Sequence, residues 1–155
     1  MLPTLSLRKV KAEEIDTIVD IDKIFGPDAF PKYMFEDYME ECNENNGFFY
    51  VLEVEGVLAG YIIAVHDFDG AYTIESIAIR SEFQKVGYGK FLLETIENLI
   101  RREGGDEIKL QVSDKNTSAR KLYENFGYQY IGNEQEKFYL DGSAALSMKK
   151  EFDAY

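Results

Sequence analysis

The segment Ser81-Glu-Phe-Gln-Lys-Val-Gly-Tyr-Gly-Lys-Phe-Leu-Leu-Glu-Thr-Ile-Glu-Asn-Leu-Ile100 places two glycines around a single residue and then changes to helical spacing. Leu92, Leu93, Ile96, Leu99 and Ile100 fall on one face at a period of about 3.6, which predicts a helix from about Gly87 to Arg102 with Gly104-Gly105 as its stop. Tyr72 to Arg80, just ahead, alternates like a strand. A strand turning into an amphipathic helix must lay that helix on a sheet, so the chain is confined to layered α/β architectures. Glycines at such a junction let the backbone approach a ligand, and the free N–H groups of a first helical turn attract an anion. The stretch has no Gly-Lys-Ser/Thr, and Leu92 stands where a dinucleotide fingerprint needs its third glycine. Both common nucleotide-binding loops are excluded.

The remaining elements fit the same frame. Leu5 to Val10 alternates as a short strand, and Ala12 to Phe25 has helical spacing through Ile15, Ile18, Val19, Asp22 and Ile24 until Gly26-Pro27 and Pro31 interrupt it. A second helix is expected from about Tyr33 to Glu44, and a hairpin from Gly47–Glu55 and Val57–Asp67 around Glu55-Gly56. After the turn Asp67-Phe-Asp-Gly70 and the central strand and helix come a strand over Ile108–Ser113, a helix over Thr117–Phe126 and one or two strands up to about Phe152. Strands that first pair through tight turns and then alternate with helices predict a mixed sheet with helices on both faces.

The 155 residues match one ordinary domain, so residues 1–155 are read as a single unit. A net charge of −12 argues against nucleic acid or an anionic membrane as partner and favours, weakly, a cationic one. Cys42 alone cannot form an intramolecular disulfide, the stretch Met1–Val10 does not resemble a signal peptide, and the apolar run Val57–Val65 is too short to span a bilayer. A cytoplasmic protein, monomeric or homodimeric, is the expectation. No metal-ligand cluster stands out.

Two further patterns occur in order. Ile77-Ala-Ile-Arg80 followed by Gln84-Lys-Val-Gly-Tyr-Gly89 resembles the acetyl-CoA signature of the GNAT acetyltransferases, and Asn116, Ala119, Leu122-Tyr123 and Phe126-Gly127-Tyr128 resemble their second motif, Asn-x-x-Ala-x-x-Leu-Tyr-x-x-x-Gly-Phe. The tail Phe138-Tyr-Leu-Asp-Gly-Ser-Ala-Ala-Leu-Ser-Met148 and the turn Phe25-Gly-Pro-Asp-Ala-Phe-Pro31 are similar to those of RimI-like protein N-terminal acetyltransferases, although Ser143 and Ala144 replace the usual Glu-Asp pair. The resemblance covers essentially the whole chain. It implies the GNAT fold: a mixed, mostly antiparallel sheet of six or seven strands with about four helices on its two faces.

The resemblance also assigns roles. The donor would be acetyl-CoA, with no metal. Backbone N–H groups from Lys85, Val86, Gly87, Tyr88, Gly89 and Lys90, following Gln84, would cradle its pyrophosphate, and the strand backbone of Ile77, Ala78 and Ile79 would run beside the pantetheine arm. Asn116 reads either as the N-cap of its helix or as a pantetheine contact. Tyr123 lies on an apolar stripe where packing is the ordinary explanation, and the motif implies a general acid toward the departing thiolate. RimI-like enzymes often carry a glutamate where this chain has Gln111, which cannot accept a proton. Glu75, expected on one strand face with Thr73, Ile77 and Ile79, is the alternative base; a solvated carboxylate is the other reading. Asp28 could bind the acceptor's ammonium or simply form a turn, and Phe30, Tyr33 and Tyr139 could line the acceptor groove. His66 has no partner motif.

An α-amine with pKa about 7.7–8.0 is roughly 10 to 15% neutral at pH 7, whereas a lysine at about 10.4 is near 0.04%. Without a carboxylate at position 111, an α-amine is the easier acceptor. The expected function is therefore acetyl transfer to a protein or peptide N-terminus. Acetylation of a polyamine or other small amine is the first alternative, and a non-catalytic acyl-CoA-binding module the second.

Overall fold

The computed structural model describes residues 2–132, 135–136 and 138–152. Among them, β1 (Leu5–Lys9), β2 (Gly47–Val54), β3 (Val57–Phe68), β4 (Ala71–Ile79), β5 (Glu107–Ser113), β6 (Gln129–Tyr130) and β7 (Ala145–Glu151) form one sheet in the order β1-β2-β3-β4-β5-β7-β6. Neighbours are antiparallel except for β4 and β5, which run parallel because the helix between them carries the chain back across the sheet. Both early hairpins close on two residues with positive φ, Glu55-Gly56 (50° and 77°) and Asp69-Gly70 (51° and 83°). That geometry matches the right-handed twist of the flanking strands.

Four α-helices pack on the sheet: α1 (Ile15–Asp22), α2 (Lys32–Asn43), α3 (Tyr88–Arg102) and α4 (Thr117–Asn125). Strand β3 is buried on both sides, so it reads as a nearly continuous apolar run. Tyr61 and Ile63 meet Ile15, Ile18, Ile21 and Phe35 of α1 and α2 in one core. Ile62 and Ala64 meet Leu92, Leu93, Ile96 and Ile100 of α3 in the other, which α4 joins through Tyr123. Four of the five residues of the expected α3 stripe are buried, and Leu99 packs at its margin.

Glu97 lies on the same buried side of α3. It accepts hydrogen bonds from the Tyr128 hydroxyl (2.8 Å) and the Lys150 ammonium (2.9 Å), while Lys150 also sits over the rings of Phe126, Tyr128 and Phe152. Replacing Glu97 by Gln keeps an oxygen for Tyr128 and removes the charge facing Lys150. The expected cost is about 1–2 kcal/mol, read as a fall of about 2–8 °C in Tm by calorimetry.

The first helix differs from the sequence expectation. A 3-10 turn at Ala12–Glu14 precedes α1, and a second 3-10 segment, Lys23–Asp28, follows it with Gly26 at φ 60°, ψ −127°. Pro27 disfavours helical geometry at the residue before it, and glycine supplies the conformation the turn needs. Ile24 therefore leaves the core and is 48% exposed, whereas Asp22 stays buried.

The pairing of β4 with β5 ends at Ile74 opposite Leu110, beyond which β5 continues to Ser113 against β7. In the ladder with β3, Ile74 opposes Ala64 and Ser76 opposes Ile63, so Glu75 is an extra residue in a β-bulge. A bulge bends its strand. Here it coincides with the point where β4 and β5 part, and the gap they leave is the cleft of the molecule. No helix among the described residues is long and apolar enough to cross a membrane.

Candidate functional site

A cavity of about 360 Å³ occupies the gap. Ile74, Glu75, Ser76 and Ile77 form one wall, and Leu110, Gln111, Val112 and Ser113 the other. Asn116, Ala119 and Tyr123 of the α4 region, Asp28 and Phe30 of the loop before α2, and Tyr139 and Asp141 complete the lining. Beyond Ile74 the edge of β4 is turned toward this space instead of a partner strand, so a ligand with amide groups could pair with the backbone of Ile77 to Ile79. Ile77 reaches the cavity, while the side chains of Ala78 and Ile79 are core; Ala78 faces the α1 and α2 side. Ala78 can therefore take part only through its main chain.

The chain between β4 and α3 makes a tight turn through two left-handed residues. Lys85 (φ 66°) and Gly87 (φ 95°) both adopt the left-handed region, and Gly87 is the N-cap of α3. The side-chain amide of Gln84 donates to the carbonyl oxygen of Ile79 at 2.8 Å, tying the loop to the end of β4. Phe91 N–H bonds Gly87 O at 3.1 Å, so the amides ahead of Phe91 precede the helix's own hydrogen-bond ladder. Val86 is 66% exposed, and Lys85 and Lys90 are also on the surface. A Cβ at Gly89 would meet the Leu122 side chain at an ordinary 3.6 Å, so a small side chain fits there; at Gly87 space is open and only φ forbids a side chain. Gly87→Val should raise KM for acetyl-CoA about 5- to 30-fold, because the exposed turn relaxes out of the left-handed conformation and the ~1–2 kcal/mol needed to restore it is then charged to ligand binding; relaxation limits the fall in Tm to less than that strain would cause if it were held in the fold.

Tyr123 is 4% exposed and packs edge-on to Tyr128 at 5.7 Å between ring centres. Burial, aided by Tyr139, pushes its phenol above the usual tyrosine range and keeps it protonated. Glu75 is half-buried and accepts a hydrogen bond from Tyr38 at 3.3 Å. Burial raises its pKa, the charges of Asp67 and Glu41 add to the shift, and the Tyr38 hydroxyl opposes it. The expected strand face is corrected here: Ile77 and Ile79 join Tyr72 and Ile74 in the α3 core, because the bulge at Glu75 reverses the alternation. Glu75 still lines the cavity, opposite Gln111. Asn116 accepts the Ala119 N–H at 3.2 Å as N-cap of α4 and also lines the cavity.

Asp28 accepts the Leu140 N–H at 2.9 Å and so fastens the loop after α1 to the segment before β7. Phe30 packs on Phe35 and Tyr38, and Tyr139 is half-buried. Tyr33 is a correction: it is 63% exposed and outside the cavity lining. It lies two residues before buried Phe35, about 200° around α2, so the core contact of that helix turns it to solvent. His66 packs on Tyr72 at 4.9 Å, away from the cavity, and Cys42 is buried in α2. Sequence reasoning missed Tyr38, Ser76, Lys115 and the role of Asp22, which is 1% exposed and lines the cavity. A carboxylate on an otherwise apolar helical stripe was the one available signal for Asp22. No group of residues suited to hold a metal occurs among the described residues.

Comparison with known proteins gives a consistent result. The sequence profile of the acetyltransferase (GNAT) family matches residues 15–128. An N-alpha-acetyltransferase of Sulfurisphaera tokodaii is 24% identical over 154 residues, covering 92% of this chain and 90% of its own. The crystal structure of the ribosomal-protein-S18-alanine N-acetyltransferase from Escherichia coli superposes with a TM-score of 0.86 at 19% identity, over 98% of this chain and 96% of that one. The crystal structure of the NatC complex bound to Gag peptide and CoA contains a chain that superposes with a TM-score of 0.84 at 19% identity, over 96% and 99%. The seven-stranded sheet split between β4 and β5, the glycine turn into α3 and the matching profile lead to one assignment: this protein is an acetyltransferase that belongs to the GNAT family.

Proposed function

We propose that the protein transfers the acetyl group of acetyl-CoA to the α-amino group of a protein or peptide N-terminus. The observation that carries this reading is that one cavity brings Tyr123, Glu75, Asp28 and Tyr139 together at the open edge of β4. In this scheme the backbone amides from Lys85 to Lys90 bind the pyrophosphate, and the β4 edge with Asn116 holds the pantetheine. The thioester then lies between Tyr123 and Glu75.

Attack of the neutral amine nitrogen on the thioester carbonyl forms the C–N bond. Glu75, through a water, takes the proton that the nitrogen sheds. Collapse breaks the C–S bond, and Tyr123 gives its phenolic proton to the departing sulfur, recovering one from solvent later. Burial raises the proton affinity of a thiolate as it does that of the phenol, so the transfer runs between two groups shifted in the same direction. Asp28, Phe30 and Tyr139 flank the acceptor, with Asp28 and Asp141 supplying negative charge toward an ammonium. The N-alpha-acetyltransferase relative supports an α-amine, as does the absence of a carboxylate at Gln111, since an α-amine is far easier to deprotonate than lysine.

The carboxylates of Asp22, Asp28, Glu75 and Asp141 around the cavity would also suit a polyamine, which keeps that reading in second place. Purified protein supplied with acetyl-CoA should acetylate peptides with free N-termini in preference to spermidine and free lysine, and should leave N-terminally blocked peptides untouched. Activity confined to spermidine would overturn the α-amine assignment.

A further inference from the structure

The most buried carboxylate at the cleft has no task in the mechanism above. Asp22 is 1% exposed at the C-terminal end of α1, where the helix dipole disfavours negative charge. Among the described residues no lysine or arginine pairs with it. Its partners are instead the backbone N–H of Phe30 (2.6 Å) and the hydroxyl of Tyr61, which bonds its other carboxylate oxygen. The Tyr61 hydroxyl also reaches Ser76 Oγ at 2.8 Å. Ser76 is the residue after Glu75 in the bulge.

A second route joins the same points. Phe30 packs against Tyr38 with ring centres 6.2 Å apart, and the Tyr38 hydroxyl donates to Glu75. Asp22, Tyr61, Ser76, Glu75, Tyr38 and Phe30 thus close a ring through α1, β3, the β4 bulge, α2 and the loop before α2. A buried charge held by uncharged donors is costly unless each bond is kept, so Asp22 fixes the distance between the loop and the bulge. Shifting the loop by even one bond length would break one of its two contacts.

We infer that Asp22 and Tyr61 are positioning residues, which set the acceptor loop and the Glu75 bulge in register so that the amine and its base meet at the thioester. The inference rests on the α-amine reading only in taking Glu75 as the base; the positioning argument applies to any amine acceptor. Tyr61 does not line the cavity, so whatever its hydroxyl does for turnover it does through Asp22 and Ser76. Its ring packing with Phe35 and Phe49 is retained in Tyr61→Phe.

The test is a kinetic cycle on the full chain, run with whichever amine the wild type acetylates. Tyr61→Phe should lower kcat/KM for the amine about ten-fold, the equivalent of one hydrogen bond to a charged group, while KM for acetyl-CoA stays within about two-fold. Ser76→Ala, which cuts the last link and also removes a hydroxyl from the cavity wall, should give a loss in the same parameter of about three-fold. In a Glu75→Gln background each change should cost clearly less than it does alone, because the part of its effect that acts through the base is already lost. A merely structural hydroxyl would lower Tm and leave this pattern absent. Folded Tyr61→Phe with wild-type amine kinetics, or a loss that multiplies in full with that of Glu75→Gln, overturns the inference; if Tyr61→Phe does not fold, the Ser76→Ala cycle decides by the same criteria. Wild-type protein active only on polyamines overturns the α-amine reading and leaves the cycle interpretable, whereas protein inert toward every amine overturns both.

Discussion

Tyr123→Phe is expected to lower kcat for acetyl transfer by about 100-fold or more, the usual scale of a lost general acid, while the Kd for acetyl-CoA changes less than about two-fold. The reasoning is local. The tyrosine is buried against Tyr128, so phenylalanine fills the same space and keeps the edge-on contact. What disappears is a hydroxyl at the cavity wall that burial holds in its protonated, donating form. The interaction it makes grows only as negative charge develops on sulfur, so its loss falls on the transition state and spares donor binding. Single-turnover rates together with a CoA titration separate the two quantities. A variant that turns over at the wild-type rate would remove Tyr123 from the chemistry and return it to the core.

Glu75→Gln has the second large effect, and its signature is a change of shape in the pH profile. Burial, with Asp67 and Glu41 nearby, raises the proton affinity of Glu75, so its ionised fraction increases as pH climbs through a value above the ordinary glutamate range. In the wild type kcat/KM for the amine should therefore rise with pH on two accounts, the ionisation of Glu75 and the deprotonation of the acceptor. The variant should lose the acidic limb and keep the limb near pH 7.7–8.0 that belongs to an α-amine, with kcat about 100-fold lower near neutrality. Gln111 lines the opposite wall of the same cavity. Adding Gln111→Glu to Glu75→Gln should therefore restore part of the rate by supplying a carboxylate from β5. An unaltered pH profile in Glu75→Gln would assign the proton to another acceptor.

Much of this was legible in the chain, for identifiable reasons. The α3 stripe, the two-residue turns and the Asn116 cap are local, encoded within a few residues of themselves, and all appear where periodicity and turn chemistry put them. The tight turn into α3 was legible because only glycine accepts φ 95° at position 87 without strain. Other features depend on contacts the sequence cannot order. The bulge at Glu75 inserts one residue and reverses the strand parity, so counting alternate positions from Thr73 led to the wrong face. The break after Asp22 moved Ile24 outward, and the direction of Tyr33 follows from which side of α2 meets Phe49 and Tyr61. The tie between Asp28 and Leu140 and the meeting of Asp22 with Tyr61 join residues far apart in the chain; neither has a local pattern. The donor side of the site is thus written mainly in short motifs, and the acceptor side mainly in tertiary structure.

The central claim concerns the acceptor, and one measurement addresses it directly: tandem mass spectrometry of a peptide with both a free α-amine and an internal lysine, after incubation with the protein and acetyl-CoA. The account predicts a single acetyl group on the N-terminal residue, with the lysine unmodified and the N-terminally blocked form of the peptide inert. Acetyl on the lysine side chain, or transfer to spermidine with none to the peptide, would contradict it.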